Sequence, residues 1–131
     1  ARSRDDVSGA DLSLFNQIGA AITVAMGALG LVFPNAAARL VGLEAVTAPG
    51  RSEFRATYGG FFVAMGLAPL LIGAPILYGL AGLCWGAASL GRSFSIVLDR
   101  AATPKNFVAV LFEAAISALL ISGAPLAALS R

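Results

Sequence analysis

Four long apolar runs, separated by short polar or Pro/Gly-rich breaks, account for nearly the whole chain: residues 12–33, 54–72, 76–98 and 104–121. Each is close to the ~20 residues that an α-helix, rising about 1.5 Å per residue, needs to cross the hydrocarbon core of a bilayer. The pattern predicts an all-α integral membrane bundle of four transmembrane helices in a single domain over residues 1–131. Residues 1–11 are polar and are expected to fray or to lie on the headgroups. Pro34 closes the first run because it has no N–H to continue the backbone ladder. The following Pro34-Asn35-Ala36-Ala37-Ala38-Arg39-Leu40-Val41 predicts a short interfacial helix with proline in its first turn. Thr47-Ala48-Pro49-Gly50 is expected to turn, after which Ser52 resembles an N-cap with Glu53 in the first helical turn. Gly73-Ala74-Pro75 makes an uncharged, shallow loop, and Thr103-Pro104 supplies a cap and first turn for the fourth span. Gly123-Ala124-Pro125 ends or kinks that span, leaving 126–131 as a tail.

Small residues recur at helical spacing in the first three runs: Gly19, Thr23, Gly27 and Gly30; then Ala56, Gly60, Ala64 and Ala68; then Gly79, Gly82, Gly86 and Ser89. Helices in lipid gain little from hydrophobic exclusion and associate by close backbone approach, so these stripes are expected to be packing faces, within the chain or between copies. Arg55 and Tyr58, near the start of the second run, belong at headgroup level. Tyr78 is expected to anchor one interface. Trp85 lies deeper than interfacial tryptophans do, and its ring is expected between helices.

The third and fourth runs fold back on each other at the polar knot of residues 99–106, and each carries one ionisable residue well inside it. Arg92 and Glu113 lie at matching distances from that knot, so antiparallel helices put the guanidinium and the carboxylate at the same depth. An unpaired charge there costs a few kcal/mol on insertion scales, and pairing removes much of that. A structural ion pair is the leading interpretation. A proton or substrate site, and independent snorkelling or protonation, are the alternatives. Arg55, beside Glu53, either anchors its helix or joins Arg92, Glu113 and Tyr58 in a polar pocket suited to an acidic ligand. Asp99 is expected at a solvated helix end, or neutralising Arg92 from seven residues away.

Composition narrows the chemistry. Hydrophobic residues make up 58% of the chain and charged residues 12%, about half the charged share of soluble domains. There is no room for a soluble catalytic module. The net charge of +2 comes from residues scattered at helix ends, which gives nucleic-acid binding no support. Histidine is absent, removing the commonest metal ligand and general base, so neither a metal, a cofactor nor a hydrolytic triad is expected. The lone Cys84 falls in an apolar run and is expected to be inert packing. The acidic start of the chain does not look like a secretory leader, and the first span is expected to be retained. Arginine outnumbers lysine eight to one and alanine is abundant, a usage that suggests a bacterial source with a GC-rich genome.

Arg55-Ala56-Thr57-Tyr58-Gly59-Gly60 with Ala64-Met65-Gly66, then Gly91-Arg92-Ser93-Phe94-Ser95 with Asp99, then a glutamate in the fourth span, resemble the small bacterial membrane proteins catalogued as domain of unknown function 4345. That family is similar in layout to the DoxD/DoxX-like group of four-helix membrane proteins. Arg100 departs from the pattern, standing where a glycine is expected after the aspartate. The resemblance implies a fold and a membrane location, with no activity attached, and kinship with quinol-oxidase-associated proteins points toward an accessory subunit.

The expected function is therefore a structural or accessory subunit, not an enzyme, that packs against lipid, other membrane subunits or its own copies. The alternatives are a small dimeric proton-coupled carrier using Glu113, or a lipid- or quinone-binding protein with a pocket near Arg55, Arg92 and Glu113. A carrier needs a carboxylate free to take and release protons, which a permanent arginine partner opposes. Arg39, Arg51, Arg55, Arg92, Arg100 and Lys105 gather on the side of the two polar connections, against Arg2, Arg4 and Arg131 on the other. The positive-inside rule then places the connections in the cytoplasm and both termini on the periplasmic side of a bacterial inner membrane.

Overall fold

The computed structural model describes residues 4–130, with side chains described from Leu14 onward. Among these residues the fold is all-α, without strands. Its helices are α1 (Arg4–Val32), α2 (Pro34–Leu40), α3 (Ala48–Phe54), α4 (Phe61–Ile72), α5 (Pro75–Leu98), α6 (Pro104–Ile121) and α7 (Ala124–Leu129). A π-helical turn at Arg55–Gly60 joins α3 to α4 without a break. Four stretches are long and apolar enough to cross a membrane: Leu14–Val32, Ala48–Ile72, Pro75–Leu98 and Pro104–Ile121.

Proline, glycine and hydroxyl side chains set the boundaries. Phe33 leaves helical geometry at φ −123° and Pro34 opens α2. Thr47 is the N-cap of α3, its hydroxyl accepting from the Gly50 amide at 3.1 Å, with Pro49 in the first turn. The second span thus starts at Ala48; Ser52 is not the cap, and the segment expected to turn is the first turn of the helix itself. Gly73, with φ 72°, closes α4 in the left-handed conformation that an αL helix end requires. Thr103 accepts from the Asn106 amide at 3.2 Å and Pro104 follows, as expected for the start of α6. The tail is also helical. Gly123 (φ 70°, ψ −124°) redirects the chain into α7, whose Leu129 lies over Gly79 of α5. At the other end α1 begins at Arg4, upstream of the expected start; residues 1–3 and 131, including Arg2 and Arg131, lie outside the described residues.

The chain divides into two compact units. The first takes α1 through Gly19 and everything from Ala74 onward; the second is Ala20–Gly73. The division falls inside α1.

In the second unit, the distal half of α1 packs on the π-helical turn and α4 through residues that have no Cβ. A methyl on Gly27 would stand 2.5 Å from the Val63 amide nitrogen, and one on Gly30 would fall on the Tyr58 carbonyl. Reciprocally, a Cβ on Gly59 would meet Leu31, and one on Gly66 would meet the Ala20 carbonyl at 2.7 Å. Gly27 and Gly30 therefore do what their spacing predicted. The expected stripe on the second span does not: Ala56 and Ala64 are exposed, Gly60 and Ala68 half-buried, and the contact uses Gly59, Val63 and Gly66. Small-residue spacing alone does not choose between neighbouring faces of a helix. The contact residues Gly59, Val63 and Gly66 follow ordinary i, i+4, i+7 spacing, so the packing face stands one residue, about 100°, from the counted stripe. Near the α2 end, Ala37, Ala38, Ala45 and Phe54 form a small core with Leu29 and Val41 packed against it.

In the first unit, α5 and α6 form an antiparallel hairpin with α7 beside α5. Leu120 is fully buried and Ile116 nearly so, and a Cβ on Gly19 would meet Leu120 at 2.9 Å. Gly82 lies against Ile121 and Leu120, and Gly86 against the Ser117 hydroxyl. Trp85 is buried and meets Phe112 edge-to-face, ring centroids 6.0 Å apart. Tyr78, expected to anchor an interface, is buried instead, on the same face of α5 as Trp85, where i, i+7 spacing stacks two residues two turns apart. Cys84 is exposed and does not pack within the chain. Leu71, Leu90, Phe94, Val97, Val108 and Leu111 are also exposed, an outward apolar surface in keeping with lipid as the solvent.

Candidate functional site

The hairpin is tied together by polar groups that the bilayer cannot satisfy. Ser89 on α5 donates to the Val110 carbonyl on α6 at 3.0 Å, and Ser117 on α6 donates to the Gly82 carbonyl on α5 at 2.7 Å. Both pairs of residues are seven apart, two turns along each helix, so the hydroxyls fasten the seam at two levels from opposite sides.

Arg92 and Glu113 meet at the end of this seam nearer the 99–103 connection. Arg92 Nη2 donates to Glu113 Oε1 at 2.9 Å, and Nε donates to Oε1 and Oε2, each at 3.2 Å. The third guanidinium nitrogen, Nη1, donates to Asn106 Oδ1 at 3.2 Å. Asn106 in turn donates from Nδ2 to the Ala101 carbonyl at 2.8 Å, while its backbone amide donates to the Thr103 cap. One guanidinium thus holds two residues of α6 that are two turns apart on one face, and the same contact ties the helix to the connection before it. The side chains are 26% and 10% exposed, so the pair is largely, not wholly, withdrawn from its surroundings. Glu113 is the buried carboxylate.

Asp99 accepts from the Ser95 hydroxyl at 2.6 Å at the end of α5, and the next residue, Arg100, takes φ 54°. That is the conformation for which a glycine was expected there. Arg55 and Tyr58 belong to the second unit, in its π-helical turn, while Arg92, Glu113 and Asp99 belong to the first. Arg55 Nε donates to the Leu31 carbonyl at 2.9 Å, one of the last carbonyls of α1, which the chain turn at Pro34 leaves without a regular helical partner. Tyr58 stacks on Phe54 with centroids 4.6 Å apart.

Two polar residues were missed from the sequence. Asn106 passed as part of a polar connection, although it stands seven residues before Glu113 and so shares its face. Asn16, 5% exposed in the first unit, reaches the end of α6, where the backbone leaves helical geometry at Ser122. Its Nδ2 lies 2.7 Å from the Leu119 carbonyl, 3.1 Å from that of Ser122 and 3.2 Å from that of Leu120. The available signal was position: an amide three and seven residues before Gly19 and Thr23, on the same face of α1.

On the flank of the first unit, Gly86, Ser89, Ala114, Ser117, Ile121 and Leu126 line an open groove of about 510 Å³, which neither Arg92 nor Glu113 borders. Among the described residues, no group of three His, Cys, Asp or Glu is placed to hold a metal.

Four membrane-length apolar helices and a charge pair held within their span define a multi-pass membrane protein. The chain belongs to the family described as Domain of unknown function (DUF4345), whose profile matches residues 12–124. No curated protein and no solved structure matches it.

Proposed function

We propose that the chain is a structural or accessory component of its membrane, not an enzyme, packing against lipid and neighbouring membrane subunits. The observation that carries this is the use made of the charged pair. Arg92 gives Glu113 three hydrogen bonds and spends its remaining nitrogen on Asn106, so the polar groups serve to fix α5, α6 and their connection. A proton-coupled carrier would need Glu113 released from that clamp in each cycle. The extensive outward apolar surface leaves lipid or other apolar helices as the neighbours of α4, α5 and α6.

The membrane is proposed to be a bacterial inner membrane. The 33–47 and 99–103 connections would face the cytoplasm, and both ends of the four-span stretch the periplasm, on the balance of arginines and lysine. Gentle solubilisation followed by native mass spectrometry tests the accessory role. Co-purifying membrane chains are expected; a lone monomer that catalyses turnover would overturn it. Alkaline phosphatase fusions at 44 and 130 test the orientation, with activity expected only at 130.

A further inference from the structure

The second unit contains a small, partly open apolar niche of about 40 Å³, walled by Met26 and Leu29 of α1, Leu40 of α2, and Phe54, Tyr58 and Phe62. The three aromatic rings form a file, Phe54 on Tyr58 and Tyr58 near Phe62 with centroids 6.0 Å apart and planes 21° from parallel. The two ring-to-ring steps carry this file along the helix through the π-helical turn, from Phe54 to Phe62 over roughly 10 Å.

At the top of the niche stands a cation. Arg55 directly follows Phe54, and its Nε is fixed on the Leu31 carbonyl, two residues beyond the Leu29 wall and at the level where α1 ends. Its two terminal nitrogens carry no hydrogen bond and no ion pair among the described residues. Arg51, one turn earlier, is likewise without an ion pair there, and its Nη1 donates to the Val46 carbonyl at 2.7 Å. Capping α1 uses one nitrogen of Arg55 and gives no reason for an apolar recess below it. The juxtaposition of a cationic rim with an apolar wall running into the bilayer fits an amphiphile with an anionic head. The enclosed volume is too small to engulf a ring system, so the occupant lies along the wall with most of its bulk in the bilayer, as an acyl chain does.

We propose that this face of the second unit is a binding site for an anionic phospholipid, its phosphate on the terminal nitrogens of Arg55 and one acyl chain along Leu40, Phe54, Tyr58 and Phe62. The proposal rests on the membrane placement above and names the lipid class. It does not depend on the chain having protein partners, so co-purification results leave it untouched.

The full chain, reconstituted in vesicles of phosphatidylcholine with one-fifth phosphatidylglycerol, is irradiated with a mid-chain diazirine probe carried on either headgroup, and labelled peptides are mapped. Phosphatidylglycerol probe is expected to label 26–41 and 54–62 about fivefold more than phosphatidylcholine probe, the preference one interfacial arginine supplies. Arg55→Gln should abolish that preference and Arg55→Lys should retain part of it. Val41→Phe, which fills the niche from the residue after α2 that also lines it, should lower labelling by both probes there, and it decides the matter if Arg55→Gln does not fold. Equal labelling by the two headgroups, or preference unchanged in Arg55→Gln, would overturn the proposal. So would labelling absent in native membranes but present after purification, since a protein neighbour would then occupy the niche.

Discussion

Glu113→Gln removes one charge and keeps the side-chain shape, so its effect measures what the carboxylate does for the hairpin. The variant leaves the Arg92 guanidinium facing an amide oxygen, with Asn106 still in place. Losing one partner of a fully buried ion pair costs about 3–5 kcal/mol, whereas exposed pairs are worth about 0–1 kcal/mol. With the side chains 26% and 10% exposed, the pair falls between these limits, and a loss of about 2 kcal/mol is expected. For a chain of this length that corresponds to roughly 6 °C in melting temperature. The assay is built in: Trp85 is the sole tryptophan, buried on α5 against Phe112 of α6, so its emission reports separation of the two helices in mild detergent. The double variant Arg92→Gln/Glu113→Gln has no uncompensated charge and should regain about half of the loss. A melting curve for Glu113→Gln indistinguishable from the parent, together with additive single-variant effects, would refute a structural role for the pair.

Gly30→Ala sets a methyl on the Tyr58 carbonyl and should destabilise the second unit by about 2 kcal/mol or more, while Gly91→Ala, with open space around its Cβ in mid-helix, should be neutral or stabilising by up to about 1 kcal/mol; paired thermal melts compare them. Asn16→Leu withdraws the amide from the α6 carbonyls and should cost about 1–3 kcal/mol, read as faster hydrogen exchange over residues 119–123. Arg100→Gly relieves a left-handed arginine and should raise the melting temperature slightly, by the equivalent of about 1 kcal/mol at most; a fall would show that the arginine side chain contributes more than its backbone strain removes.

Much of the fold could be read from the residues, because its determinants act locally. Pro34, Pro75 and Pro104 each open a helix in the structure, and Thr103 is the cap it resembles. The α1 face of Gly19, Thr23, Gly27 and Gly30 is buried as its spacing implies, since α1 is an uninterrupted α-helix and counting by three and four stays in phase. The placement of Arg92 opposite Glu113 followed from symmetric counting about one short connection. Sequence alone places the start of the second span at Ser52 and not at Thr47 because both have N-cap character, and Pro49 two residues after Thr47, read as part of a turn, is what favours the earlier start. Asn16 escaped notice because its partners are the carbonyls at the end of α6, more than a hundred residues away, and an amide in an apolar run does not announce a distant helix terminus. The Arg55–Gly60 winding has no local signature at all, and the packing face of the second span, one residue from the counted stripe, is set by where α1 approaches Gly59 and Gly66.

That winding also makes one short stretch of the second span unusually tolerant of losing a residue. A regular α-helix turns about 100° per residue, and a single π-helical turn holds one residue more than α geometry needs, so deleting one amino acid between 55 and 58 would let the ladder revert to ordinary α geometry with α3 and α4 keeping their relative phase. Gly59 and Gly66, seven residues apart beyond the lesion, would both still meet α1, whereas the same loss between 61 and 65 would turn one of them away while composition, hydrophobicity and span length stayed almost unchanged. A single-codon lesion in the π-helical turn would insert into the bilayer and assemble, while one a few codons later would insert and fail to assemble, a difference invisible to any hydropathy plot.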